Sequence, residues 1–173
     1  MDLPKQTQRY FLDTEFIEDG RTIDLLSIGV VCQDGREFYA ESSEADLNKA
    51  NEWVRMNVIP HLEGPSTSRY MSRAQIAAEL LAFVDASKSK GPEFWAYYGD
   101  YDWVVICQLF GTMSDLPQYW PMFCMDVKQM AVTAGCVSTP EQDSVEHNAL
   151  TDARWTRDLY NYLLTTRGRL IHH

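Results

Sequence analysis

Hydrophobic positions along this chain change period several times, and each change marks an expected element. Arg9-Tyr-Phe-Leu-Asp13 reads as a short strand, and Asp19-Gly20 as a turn. Leu25 to Cys32 is a nearly unbroken apolar run rich in Ile and Val, as a central strand requires. Asp34-Gly35 separates it from Glu37-Phe-Tyr-Ala40. An Asp-Gly pair between two strand-like runs is a hairpin signal, so the first three strands should be antiparallel neighbours.

The period then becomes helical. Ala45 to Val58 carries Leu47, Trp53, Val54 and Val58 at mixed helical spacings, and Pro60 limits it. Ser72, with Gln75 three residues on, caps a second helix whose apolar positions are Ile76, Leu80, Leu81 and Val84. Ser87 to Pro92 reads as a polar linker and Phe94 to Tyr98 as a strand. A helix follows through Val104, Val105, Cys107 and Leu109 to Gly111. Gly111 to Pro121 is an expected loop, and a short segment near Phe123-Cys124-Met125 leads into a helix from Asp126 to Ala134. Gly135 to Glu146 is polar, contains Pro140 and is expected to be a mobile loop. The last helix should run from Ala149 to Thr166. Three strands in a meander, then helices interleaved with further strands, predict an α/β domain whose mixed sheet combines an antiparallel meander with parallel strands and is flanked by helices. No internal repeat is visible.

Composition narrows the picture. The 173 residues fit a single domain, 1–173, with residues 1–8 and 168–173 expected to be flexible ends. At 45% hydrophobic residues the chain can bury a core rather than stay disordered. Cys32, Cys107, Cys124 and Cys136 include no CxxC pair, which argues against a zinc ribbon or dithiol site; they read as reduced thiols of a cytoplasmic protein. The start lacks an apolar h-region, so no secretion signal is expected, and no apolar stretch approaches the ~20 residues of a membrane span. His172-His173 resembles the stub of a purification tag and is excluded from metal reasoning. A formal net charge of −10 argues against a protein that coats long nucleic acid, which needs Lys and Arg to neutralise phosphate. It does not exclude an enzyme that holds only the last nucleotides of a strand.

The candidate chemistry lies in three short clusters. Asp13 and Glu15 are two residues apart, so in extended chain both carboxylates share one face. There they repel unless something positive sits between them; the ordinary alternative is a pair of solvated acids. Asp102 opens the helix after the strand at Phe94–Tyr98 and is preferred over Asp100 because it directly precedes the apolar run Val104-Val105-Ile106. An Asp there also satisfies a helix dipole. His147 and Asp152, five apart, point to different faces of one regular helix. They converge if His147 lies on the preceding loop and Asp152 on the helix.

Together, Asp13-x-Glu15, Asp102 and His147-x-x-x-x-Asp152 resemble the three motifs of the DEDDh 3′-to-5′ exonucleases, a superfamily with the ribonuclease H-like fold. The likeness spans nearly the whole chain. It is stronger to the bacterial exoribonuclease AS group, through Tyr-Phe-Leu-Asp-Thr-Glu-Phe-Ile-Glu-Asp-Gly, Leu-Ser-Ile-Gly-Val-Val, Trp-Val-Arg-x-x-Val-Ile-Pro and Tyr-Asp-x-Val-x-x-Cys-Gln-Leu. One departure from the wider superfamily is Tyr97-Tyr98-Gly99-Asp100-Tyr101, which lacks the Asn many members carry before the second-motif Asp. How the strand beside the scissile bond is held is therefore open.

The resemblance implies a metal-dependent exoribonuclease that removes nucleoside 5′-monophosphates from single-stranded RNA 3′ ends, with adenylate preference and AMP as a product. Asp13, Glu15, Asp102 and Asp152 would hold two divalent cations. Hard oxygen ligands suit Mg²⁺ or Mn²⁺ and argue against zinc. Asp13 would bridge the ions, Glu15 and Asp152 would complete one shell, and Asp102 would hold the other. His147 would act as general base. Thr14, Phe16 and Trp103 are candidate substrate contacts, and Arg55 and Arg73 candidate phosphate contacts. A homodimer is also implied. Two other readings remain: a DNA-directed exonuclease, and a non-catalytic nucleotide- or RNA-binding module.

Overall fold

The computed structural model describes residues 7–84, 91–135, 139–142 and 146–170. Among these residues, six strands, β1 (Gln8–Glu18), β2 (Ile23–Cys32), β3 (Glu37–Ser42), β4 (Tyr70–Met71), β5 (Pro92–Ala96) and β6 (Met125–Asp126), form one mixed sheet in the order β4-β3-β2-β1-β5-β6. The first three are an antiparallel meander, as the alternation and the Asp34-Gly35 turn require. Gly35 takes φ 93° and its N–H donates to the Cys32 carbonyl at 2.9 Å. β5 joins β1 in parallel, β6 joins β5, and β4 joins β3.

Among the described residues, five α-helices flank the sheet: α1 (Glu52–Asn57), α2 (Arg73–Phe83), α3 (Asp100–Phe110), α4 (Val127–Thr133) and α5 (Ala149–Leu170). Side chains of β1 alternate between the faces. Tyr10 and Leu12 pack with Ile76 and Leu80 of α2 and with Trp103 and Ile106 of α3. Phe11 packs on the other face with Val127 of α4 and Leu159 and Leu163 of α5. Ile17 and Leu26 meet Val54 and Val58 around α1. No helix of the described residues is long and apolar enough to cross a membrane.

Several boundaries differ from expectation. The helix expected over 45–58 is broken in two. Asp46 caps a 3-10 turn at Leu47–Lys49, and Asn51 caps α1 by accepting the Val54 N–H at 2.9 Å. Each Asp or Asn side chain binds backbone ahead of it and starts a new helix instead of continuing the old one. The Ser72–Gln75 capping box of α2 forms as expected. β5 ends at Ala96, two residues before the expected Tyr98, because Tyr98 takes the left-handed φ of 59°. β4 was not foreseen; two residues carry no readable period. The expected loop over 111–121 includes a 3-10 turn at Met113–Asp115. β1 begins at Gln8, and α5 continues to Leu170, beyond the expected end at Thr166. Much of the expected linker at 87–92, parts of the expected loop over 135–146, and Cys136 lie outside the described residues. Cys32, Cys107 and Cys124 are free thiols.

Candidate active site

The site grows from β1, which pairs with β2 on one side and β5 on the other. Asp13 pairs across the ladder with Gly29 of β2, and Glu15 with Ser27. Both acids lie within the strand rather than at its end. The register shifts between Glu15 and Phe16, a bulge that bends the strand where its acids emerge. Gly29 admits the third element. A Cβ built on it would lie 2.3 Å from the Ala149 carbonyl oxygen and 2.4 Å from the Leu150 Cα. Only glycine lets the start of α5 sit directly on the meander, and this brings Asp152, in the first turn of α5, over the β1 acids.

Asp102 arrives from the parallel crossover. β5 leaves the sheet beside β1, and the first turn of α3 carries Asp102 back to it. Its Oδ1 accepts the Thr14 N–H at 2.8 Å and the Thr14 hydroxyl at 2.6 Å. Asp102 is buried, whereas Asp100 two residues earlier is exposed. His147 precedes α5 in a left-handed conformation, φ 64°, and its N–H donates to Asp152 Oδ2 at 3.0 Å. This is the loop-then-helix arrangement that lets residues five apart converge. The edge of the Trp53 ring system meets His147 with centroids 4.8 Å apart at 79°, and Glu146 Oε2 lies 3.9 Å from His147 Nε2. Gln142 hydrogen-bonds Asp152, and the Trp155 indole N–H donates to the Pro140 carbonyl at 3.1 Å, tying the preceding loop to α5.

All five sequence-derived residues, Asp13, Glu15, Asp102, His147 and Asp152, line one cleft of about 580 Å³ together with Thr14 and Phe16. Trp103 does not reach it. Its side chain is buried in the core against Phe94, at 5.1 Å between centroids, so the expectation that it meets substrate is corrected: residue 103 falls on the sheet-facing side of α3. Arg55 is occupied by the carbonyls of Ala50 and Asn48, and Arg73 by Asp24, so neither is a free phosphate contact. Sequence reasoning missed Asn51, Trp53, Tyr97, Gln142, Glu146 and Trp155, which line the same cleft. A glycine inside the apolar run of β2 was a readable sign of close backbone approach; the lining residues had no comparable local signal.

The acids destabilise one another's charged forms. Burial, then Asp102, Asp152 and Glu15, holds Asp13 well above the usual carboxylate range. Burial, then Asp152 and Asp102, pushes Glu15 up to about 8. Burial pushes Asp102 up to about 6 against the lowering hydrogen bonds from Thr14. Asp152 is also raised by burial, although Gln142 and the His147 N–H offset part of it. Clustered carboxylates on a cleft wall fit divalent cations, whose charge would reverse this penalty. Donor atoms of Glu15, His147 and Asp152 lie within 4.8 Å of one another. Oxygen donors dominate the set and suit Mg²⁺ or Mn²⁺.

A mixed sheet with this topology and an acid-lined cleft at its central strand place the chain among α/β folds that nucleases also use. The solved structure of cell-death related nuclease 4 (CRN-4) matches over 94% of this chain at TM-score 0.57; the match spans 65% of that longer chain, and 9% identity makes it a likeness of fold alone. The chain belongs to the family of 3′-5′ exoribonuclease Rv2179c-like domains, whose model matches residues 8–164. The 3′-5′ exoribonucleases Rv2179c and MT2234.1 of two Mycobacterium tuberculosis strains, H37Rv and CDC 1551 / Oshkosh, are each 47% identical to it over 146 residues. These span 84% of this chain and 87% of theirs.

Proposed function

We propose that this protein is a metal-dependent 3′-to-5′ exoribonuclease of the DEDDh type, with the ribonuclease H-like fold and nearest in character to the exoribonuclease AS group. It removes nucleoside 5′-monophosphates from single-stranded RNA 3′ ends and prefers adenylate. The observation that carries the reading is the meeting of Asp13, Glu15, Asp102 and Asp152 with His147 in one cleft, from segments far apart in the chain. Family membership supports the choice of RNA as substrate.

Asp13, Glu15, Asp102 and Asp152 would hold two divalent cations. When bound, such ions supply positive charge to the attacking and leaving oxygens of an in-line displacement at phosphorus. Thr14 fixes Asp102 through two hydrogen bonds, so the carboxylate from α3 is oriented before substrate arrives. His147, unprotonated, takes a proton from the attacking water. The bond from its backbone N–H to Asp152 fixes the loop that carries it, and the Trp53 ring packs against its imidazole. Phe16 and Trp53 wall the cleft and offer apolar faces to the terminal base and sugar. Attack on the last phosphate releases a nucleoside 5′-monophosphate and leaves a new 3′-hydroxyl.

The test is an exonuclease ladder on 5′-labelled oligo(A), a mixed RNA and matched DNA, with Mg²⁺, Mn²⁺ or EDTA, for the unaltered protein and Asp13→Ala. Stepwise metal-dependent shortening of RNA, fastest on oligo(A) and absent in Asp13→Ala, is expected. Equal or faster loss of DNA would replace this reading with an exodeoxyribonuclease. Folded protein that shortens neither strand would leave a binding module. A homodimer, expected in cytoplasm-like buffer, is read by light scattering.

A further inference from the structure

The described residues that line the cleft include no lysine or arginine, although the proposed substrate carries a phosphate at every step. A cation lies just outside, at the rim. The Lys128 ammonium of α4 sits 5.8 Å from the centroid of the Tyr97 ring and 5.7 Å from that of Tyr98. Tyr97 lines the cleft, and the Tyr98 ring stands against it at 4.7 Å and 70°. Tyr98 is 62% exposed.

This rim is built rather than loose. Tyr98 and His147 are the only non-glycine residues of positive φ among the described residues, and both flank the same cleft. An aromatic residue in the left-handed region costs energy and persists only where its surroundings hold it. Here Asp126 holds it. Its Oδ2 accepts the Gly99 N–H at 3.1 Å, while its Oδ1 accepts the Gln129 N–H at 2.9 Å and caps α4. One carboxylate thus couples the turn that presents Tyr98 to the helix that presents Lys128. Gly99 keeps the turn tight, since a Cβ there would lie 2.7 Å from the Ala96 Cβ.

We propose that Tyr98 and Lys128 form a subsite for the nucleotide on the 5′ side of the one being removed, with Tyr98 stacking on its base and Lys128 meeting its phosphate. The inference rests on the exoribonuclease reading and adds the path by which the RNA leaves the cleft. An aromatic face beside a cation is the usual pairing for single-stranded nucleic acid and tolerates any base. It also supplies the positive charge that the acidic cleft wall lacks.

The test compares Tyr98→Ala, Lys128→Ala and Lys128→Arg with the unaltered protein, in Mg²⁺, on the nitrophenyl ester of a nucleoside 5′-monophosphate and on oligo(A) of six nucleotides. Tyr98→Ala should raise KM for the hexanucleotide about tenfold and leave the small ester unchanged. Lys128→Ala should also raise it and flatten the salt dependence of hexanucleotide binding by about 0.7 in log–log slope, the value for one phosphate of a single strand. Lys128→Arg should restore the slope. Equal losses on ester and hexanucleotide, or no loss on either, would overturn the subsite. Hexanucleotide left intact by the unaltered protein would instead overturn the exoribonuclease reading. Fluorescence anisotropy of the labelled hexanucleotide with the same variants then decides the rim separately: unchanged affinity would overturn it.

Discussion

Replacing Glu15 with Gln tests the electrostatics of the site without touching its packing. Glu15 is 9% exposed, and burial with Asp152 and Asp102 pushes its carboxyl up to about 8 from 4.5. Between these values the metal-free folded protein keeps a proton that the unfolded chain has lost. Its stability is therefore full below pH 4.5 and falls as pH rises toward 8. At 1.36 kcal/mol per unit, 3.5 units set a ceiling of about 5 kcal/mol for the whole window and about 3 kcal/mol at pH 7. Relaxation and counter-ions in a cleft open to solvent reduce this to about 1–3 kcal/mol. A domain of this size gains about 2–4 °C in Tm per kcal/mol. In EDTA, the unaltered protein should lose Tm from pH 5 to pH 8, and Glu15→Gln should melt about 3–10 °C higher at pH 7. Added Mg²⁺ or Mn²⁺ should raise the Tm of the unaltered protein markedly and that of Glu15→Gln little. The variant should also lack exonuclease activity. Thermal melts across pH, with and without metal, read all of this. A Glu15→Gln protein that melts lower than the unaltered one in EDTA at pH 7–8, beside a flat pH profile for the latter, would refute the reasoning.

Other substitutions separate the parts of the site. Gly29→Ala places a methyl group against the Ala149 backbone, so it should cost about 1–3 kcal/mol of stability and remove activity by lifting Asp152 away; a Tm equal to the unaltered protein's would argue against the close approach. Asp102→Asn keeps an oxygen for Thr14, so its melting should change by less than about 1 kcal/mol while kcat falls at least about 100-fold. Trp53 is 52% exposed; Trp53→Ala should leave Tm nearly unchanged and lower kcat about tenfold, because the His147 ring loses its packing partner, and an unchanged kcat would argue against that role.

Much of this molecule was legible in the chain because the relevant forces are local. Alternation along β1 put Asp13 and Glu15 on one face, the unbroken run Leu25–Cys32 marked a central strand, and Asp34-Gly35 fixed the hairpin between β2 and β3. The Ser72–Gln75 capping box set the start of α2. Local capping also defeated the reading once: the helix expected across 45–58 broke at Asn51, where a side chain competed with the continuing backbone.

The tertiary structure decided what lies across long separations. Thr14 and Asp102, 88 residues apart, meet because a parallel crossover returns β5 beside β1, a neighbour relation that no local period encodes. The same geometry buried Trp103 and put Tyr97 on the cleft wall, although the chain near them looks uniformly aromatic. Gly29 decided how closely α5 approaches and hence where Asp152 stands. Sequence thus determined which residues could carry the chemistry and on which faces of their own elements they lie. Sheet order and backbone packing determined which of them stand within reach of one another, because those distances depend on contacts between elements rather than on preferences within them.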